Sequence, residues 1–155
     1  MLPIKRILWP TDFSEPSYVA LSAAEELAKH FSAELYLVHV ISPIPMLSTT
    51  TGPDGFDVNF YHEQLKKRSH ESLEKIVRNR IKKKIKAHYK IVMGRAPDEI
   101  VETAKKEDVD LIVIATHGET GWRRLVFGSV AEKVVRFANC PVLAIHEPKE
   151  NKSHS

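Results

Sequence analysis

Short apolar runs alternate along this chain with amphipathic stretches, and that alternation constrains its fold more than any other feature. Ile4 to Trp9 is the first run, closed by Pro10. Glu34 to Ile41, Lys86 to Val92, Asp110 to Thr116 and Pro141 to His146 follow, each reading as a strand. Helices are expected between them. Ser14 to Phe31 has Ser14 as a cap, Pro16 tolerated in its first turn, and Ala20, Ala24, Leu27, Ala28 and Phe31 on one face. Val58 to Lys84 puts Leu65, Leu73, Ile76, Val77 and Ile81 inward. Ala96 to Lys106 starts with Pro97 where a missing N–H costs little, and Gly128 opens a last helix to Phe137. Near-continuous apolar strands between amphipathic helices predict a parallel sheet covered on both faces. The fold class is therefore α/β, a three-layer α/β/α open five-stranded Rossmann-like sheet. Neither periodicity nor composition fixes the strand order. For the order 3-2-1-4-5 the switch point falls between strands one and four, where such folds bind ligands. That order would bring Pro10-Thr11-Asp12-Phe13 against the loop from Ala115 to Gly128.

A chain of 155 residues fits one domain, assigned here to 1–147, with a polar tail over 148–155. No apolar run approaches the roughly 20 residues that span a bilayer. The start, Met1-Leu2-Pro3-Ile4-Lys5-Arg6, lacks the order of a signal peptide. The single Cys140 cannot form an internal disulfide, which agrees with a reducing cytoplasm, and its place before Pro141 favours a buried structural thiol. The net charge of +3 is mild, so no acidic partner is demanded by the whole chain. Much of the basic excess lies in Arg78 to Lys86. Without interleaved aromatics, and with Ile81 and Ile85 at helical spacing, that run reads as a solvated helix end rather than a nucleic-acid surface.

The segment from Ala115 to Val130 carries the strongest functional signal. It joins a buried strand to a helix through Gly118, Gly121 and Gly128. Glycine lets backbone N–H groups approach a ligand, and a helix N-terminus adds unpaired donors and partial positive charge. Phosphate suits such geometry. The competing reading is structural: Ser129-Val130-Ala131-Glu132 fits a capping box, and the glycines would merely turn the chain. No G-x-x-x-x-G-K-[ST] occurs, and no G-x-G-x-x-G follows the first strand, so Walker and dinucleotide sites are unsupported.

In place of those motifs stands Ala115-x2-Gly118-x9-Gly128-Ser129 after strand four, with Asp12-Phe13-Ser14 after strand one. This resembles the G-x2-G-x9-G-[ST] motif of single-domain universal stress proteins of the ATP-binding branch. The likeness runs from Ile4-Lys5-Arg6-Ile7-Leu8 to Cys140-Pro141-Val142-Leu143-Ala144-Ile145, and Ala115 replaces the motif's first glycine. The resemblance implies the adenine nucleotide alpha hydrolase-like fold and ATP as ligand, with AMP or ADP as alternatives and Mg²⁺ as companion. It implies that Asp12 and the Val40 backbone contact adenine while Pro10 and Thr11 shape the pocket. Ala115 and Thr116 would approach the ribose. Gly118, Gly128, Ser129 and Val130 would donate to the phosphates. It also implies a homodimer paired through the last strand, Val142 to Ile145, which physically is an exposed edge unless covered.

His117 has only Glu119 near it at ligand spacing, so phosphate or solvent is a better partner for it than a metal. Arg123 and Arg124 either cover phosphates or are plain loop cations, and Trp122 is read as packing. Trp9 is expected in the core or pocket wall, and His39 as a satisfied semi-buried group. The expected function is a nucleotide-dependent regulatory binding protein with an unidentified protein partner, no membrane association and at most slow ATP hydrolysis. A nucleotide-free dimeric interaction module and a weak adenine-nucleotide hydrolase are the alternatives.

Overall fold

A computed structural model of the chain describes residues 2–44, 57–117 and 128–147. The elements run β1 (Arg6–Pro10), α1 (Glu15–Phe31), β2 (Glu34–Ile41), α2 (Val58–Asn79), β3 (Ala87–Met93), α3 (Ala96–Lys106), β4 (Leu111–Ala115), α4 (Ser129–Phe137) and β5 (Val142–Ile145). All ladders are parallel, and the strand order is β3-β2-β1-β4-β5, the 3-2-1-4-5 order considered above. The tail over 148–155 lies outside the described residues.

Side chains of a strand alternate between its faces, and that alternation sorts the core into two layers. Ile7 and Trp9 of β1, Leu35 and Leu37 of β2 and Val113 of β4 pack with Ala20, Ala24 and Ala28 of α1 and Leu73 and Ile76 of α2. Leu8, Val38, Ile112 and Ile114 point the other way, onto Ile100 and Ala104 of α3 and Ala131 and Val134 of α4. Ile7, Leu8 and Trp9 are 0% exposed, which makes β1 the centre of the molecule. Asp110 ties the start of that strand to β4, its carboxylate accepting from the amides of Lys5 at 2.8 Å and Arg6 at 2.9 Å. Among the described residues, no helix is long and apolar enough to cross a membrane.

Two expectations are corrected. The second helix was expected to reach Lys84, but it ends at Asn79. The chain leaves the helix there and turns under it, which still buries both Ile81 and Ile85. The Ile76 carbonyl accepts from the amides of Arg80 at 2.9 Å and Ile81 at 3.1 Å, and Ile85 then donates to the Lys82 carbonyl at 2.9 Å, closing a turn. Beyond Asn79 the basic run is therefore a loop, with Lys83 and Lys84 at the tip of that turn, and only its first two residues end the helix. Cys140 is only half-buried, yet burial pushes its thiol pKa up, with the Asp110 charge adding to the effect.

Trp9 fills the core, as expected, and does one further thing. Its indole N–H donates 2.8 Å to the Ser17 carbonyl, pinning the first turn of α1 to the end of β1. Trp9→Phe removes that donor while the Ser17 carbonyl keeps its place in the helix. Urea unfolding should show a loss of about 0.5–1.5 kcal/mol from the missing hydrogen bond alone.

Candidate functional site

At the carboxyl ends of the central strands the ladders stop at different heights. The β1–β4 ladder closes at Leu8–Ile112, although β1 runs on to Pro10 and β4 to Ala115. The β1–β2 ladder closes at Pro10–Val38, while β2 continues beside β3 to Ile41–Met93. A crevice opens where β1 leaves both neighbours, as the topology requires. Backbone groups along a strand face alternate sides. Val38 accepts from the Thr11 amide on the β1 side, and Ile41 from the Gly94 amide on the β3 side. The N–H and C=O of Val40 therefore face the β1 side, beyond the point where β1 has ended. By the same alternation, Thr116 donates to the Ile145 carbonyl at 3.0 Å, so the backbone of Ala115 faces β1.

The chain leaving β1 is held by a dense set of bonds. Thr11 is buried, its hydroxyl shared with Ser17 at 2.9 Å and accepting from the Phe13 amide at 2.9 Å. The His39 Nδ1–H donates 2.8 Å to the Thr11 carbonyl, and the His39 ring lies 4.4 Å from that of Phe13. Phe13 sits at φ 64, a left-handed conformation that costs a bulky residue energy and is kept only by such surroundings. Asp12 is exposed. Its carboxylate accepts from the Ser14 amide at 3.0 Å and from the Ser14 hydroxyl, so it holds the turn into α1. Ser14 is the N-cap of α1, but its side chain makes no cap bond; that oxygen is spent on Asp12.

Across the crevice, α4 begins at Ser129 with Gly128 as its N-cap. The capping box of the competing reading is not formed. The helix starts one residue earlier than the box needs, so Ser129 is already helical. Glu132 instead donates its amide to the Gly128 carbonyl at 3.0 Å and pairs its carboxylate with Arg136 at 3.2 Å. Among the described residues, no side chain caps α4. The amides of Ser129, Val130 and Ala131 open the helix without intrahelical acceptors, and the dipole adds to their pull on an anion. The Gly128 amide donates to the Thr116 carbonyl, and a Cβ on Gly128 would stand 2.5 Å from that oxygen. Glycine is needed there for close approach, not for its φ of −60.

The profile of the Universal stress protein family matches residues 3–146. The chain belongs to the universal stress protein family. Universal stress protein MJ0531 of Methanocaldococcus jannaschii is 38% identical over 94% of this chain and 84% of its own length. Universal stress protein MJ0577 of the same organism is 33% identical over 91% of this chain and 94% of its own. The solved structure of MJ0577 superposes with a TM-score of 0.80 at 32% identity, covering 94% of this chain and 97% of that one. A universal stress protein from Archaeoglobus fulgidus, solved in complex with dAMP, shares the fold with a TM-score of 0.59 at 24% identity, covering 94% of this chain and 99% of that one.

The expected residues Pro10, Thr11, Asp12, Val40, Ala115, Thr116, His117, Gly128, Ser129 and Val130 all lie at the carboxyl edge of the sheet or at the start of α4. Gly118, Trp122, Arg123 and Arg124 lie outside the described residues. Ala115, the departure from the family motif, packs partly buried against the α1/α2 core. Thr11 and Thr116 have structural work: the Thr116 hydroxyl meets His146 Nδ1 at 3.2 Å. That contact, the His39 bond to Thr11 and the strained Phe13 escaped the sequence reading, since each depends on which strand ends lie side by side. Among the described residues, no three His, Cys, Asp or Glu side chains gather in a metal-binding group.

Gly128→Ala drives a methyl into the Thr116 carbonyl and should lower stability in urea by about 1–3 kcal/mol, the usual penalty for overpacking. A stability equal to wild type would mean the α4 entry is free to shift.

Proposed function

We propose that the crevice beyond β1 binds an adenine nucleotide, ATP in the first instance, with AMP or ADP as weaker alternatives. The uncapped N-terminus of α4, facing the divergent ends of β1 and β4, carries this reading. Its first amides and the Ser129 hydroxyl would take the phosphates. The Val40 backbone and Asp12 would read the adenine edge, Pro10 and Thr11 would form its wall, and the ribose would pass Ala115, Thr116 and His117. Gly118 would complete the phosphate loop. The dAMP bound by the Archaeoglobus fulgidus relative supports adenine as the base of the ligand. Mg²⁺ would arrive on the nucleotide phosphates, because Mg²⁺ needs only one or two protein carboxylates when phosphates supply the rest. Asp12 is an exposed carboxylate at this edge.

Binding rather than turnover is the favoured activity. Hydrolysis needs a positioned water and charge stabilisation, and catalytic groups tend to show displaced pKa values. Among the described residues, the groups displaced lie at the opposite end of the sheet. The Lys86 and His88 contacts hold Glu34 below the usual carboxylate range, burial raises Tyr36, and Cys140 precedes β5. The proposed role is a cytoplasmic regulatory protein whose partner-reading surface responds to nucleotide, with hydrolysis slow at most.

The test is calorimetric titration of nucleotide-stripped protein with Mg-ATP, beside a Ser129→Asp variant. Asp in a first helical turn favours the helix, so the variant keeps its stability while placing a negative charge where phosphate would sit. Micromolar binding by wild type, weakened at least roughly tenfold (about 1.4 kcal/mol) in the variant, is expected. No binding by the stripped wild type would instead favour the nucleotide-free interaction module.

A homodimer paired through Val142–Ile145 is part of the same proposal. β5 is an edge strand, and Leu143 on it is exposed, as are Val135 and Phe137 on α4. An exposed apolar edge is a liability that symmetric pairing removes. Sedimentation should give a dimer for wild type and a folded monomer for Leu143→Glu. A wild-type monomer at high concentration overturns it.

A further inference from the structure

At the far end of the sheet from the crevice, the loop between α2 and β3 wraps a groove of about 340 Å³. Val77, Ile81 and Ile85 supply its apolar lining, and Arg78, Lys82 and Lys83 its charged rim. Ile81 and Ile85 are 5% and 9% exposed, so they form a floor and do not protrude. Arg78 is neutralised by Glu74 at 2.7 Å, and Lys86 by Glu34 at 3.2 Å. Lys82, Lys83 and Lys84 are exposed and have no ion-pair partner among the described residues. The Glu25 carboxylate approaches this loop only to accept the Lys82 backbone amide at 3.2 Å. The turn closed by Lys82 and Ile85 fixes the lysines as a block beside the apolar floor.

We propose that this groove docks an acidic segment of a partner protein, with one or two aliphatic side chains seated on the floor and flanking carboxylates on Lys82, Lys83 and Lys84. The volume is at the small end of ligand pockets, which run to roughly 300–1,000 Å³. An apolar anchor in a pocket ringed by charge is the arrangement that gives peptide interfaces their affinity, and the charges set register and encounter rate. Nucleic acid fits less well. No aromatic side chain lines the groove for base stacking, and a phosphate backbone has no use for an aliphatic floor. A bilayer fits less well too, because an interfacial segment must push apolar side chains outward, and here Ile81 and Ile85 are turned in. Placed at the start of β3, the groove leaves the crevice at the other end of the sheet free for its own ligand.

The experiment is fluorescence anisotropy on the full chain with a short labelled peptide of glutamates around a central Leu-Leu pair. It is repeated with the leucines changed to serine, with a single-stranded oligonucleotide of equal charge, and with phosphatidylserine-containing vesicles. The Leu-Leu peptide should bind, and replacing its leucines should weaken binding roughly tenfold. The exposed Lys82→Glu/Lys83→Glu double variant should lose a similar factor at unchanged thermal stability. Equal binding of the serine peptide, indifference to the double variant, or tighter retention of oligonucleotide or vesicles would each overturn the proposal.

Discussion

The structure depends on one strand being surrounded. β1 has neighbours on both edges and helices on both faces, so its Ile7, Leu8 and Trp9 lose all contact with water. Burying such side chains contributes roughly 1.5–3 kcal/mol each. The same position forces the chain on either side of β1 to diverge: β2 is reached through α1, and β4 only after the far half of the fold has been built. Where β1 stops, its two neighbours still run on, and their backbone groups face a gap. The crevice is thus a consequence of the burial that stabilises the fold. The Trp9 indole bond to Ser17 and the buried Thr11 hydroxyl link the two, because they fix the direction in which the chain leaves the core.

The α4 entry makes the opposite compromise. A serine or aspartate at the N-cap would have satisfied one of the first amides and stabilised the helix by roughly a few tenths of a kcal/mol over glycine. Glycine at 128 forgoes that bond. It gains the close approach to Thr116, with its amide on the Thr116 carbonyl, which folds the helix start against the end of β4. A helix left uncapped at the mouth of a crevice is a locally unfavourable choice, and such choices concentrate at functional sites. Asp12, by contrast, is held by Ser14, so its carboxylate reaches any ligand already oriented.

Much of this was legible in the chain. The boundaries of β2 and α3 coincide with the sequence pattern, because apolar period and flanking turn residues agree there. Ile7, Leu8 and Trp9 declared a buried strand by having no polar residue among them. The glycine spacing after β4 pointed to a phosphate-type loop, most of which lies outside the described residues. What failed was local chemistry with more than one solution. Ser129 and Glu132 stand at capping-box spacing, yet the neighbouring glycine took the cap position. Ile81 and Ile85 keep helical spacing, but a helix carried to Lys84 could not have returned to start β3 beside β2. Register decides such cases, and register is a property of the assembled sheet.

The two ends of the sheet end up chemically unlike. Among the described residues, the carboxyl end gathers open backbone donors, a helix start and the oriented Asp12 carboxylate, the groups on which the proposed nucleotide site rests. The amino end gathers the displaced pKa values of Glu34, Tyr36 and Cys140 together with the lysine-rich turn. Glu34 illustrates how that end responds to acid. Its pKa is lowered in the folded chain, so its contacts with Lys86 and His88 stabilise the fold above the ordinary carboxylate pKa and are lost as pH falls through the folded value. Those contacts join β2 to β3 beside the groove, and they are exposed enough for solvent and salt to weaken them. Acid and salt therefore loosen this link between β2 and β3.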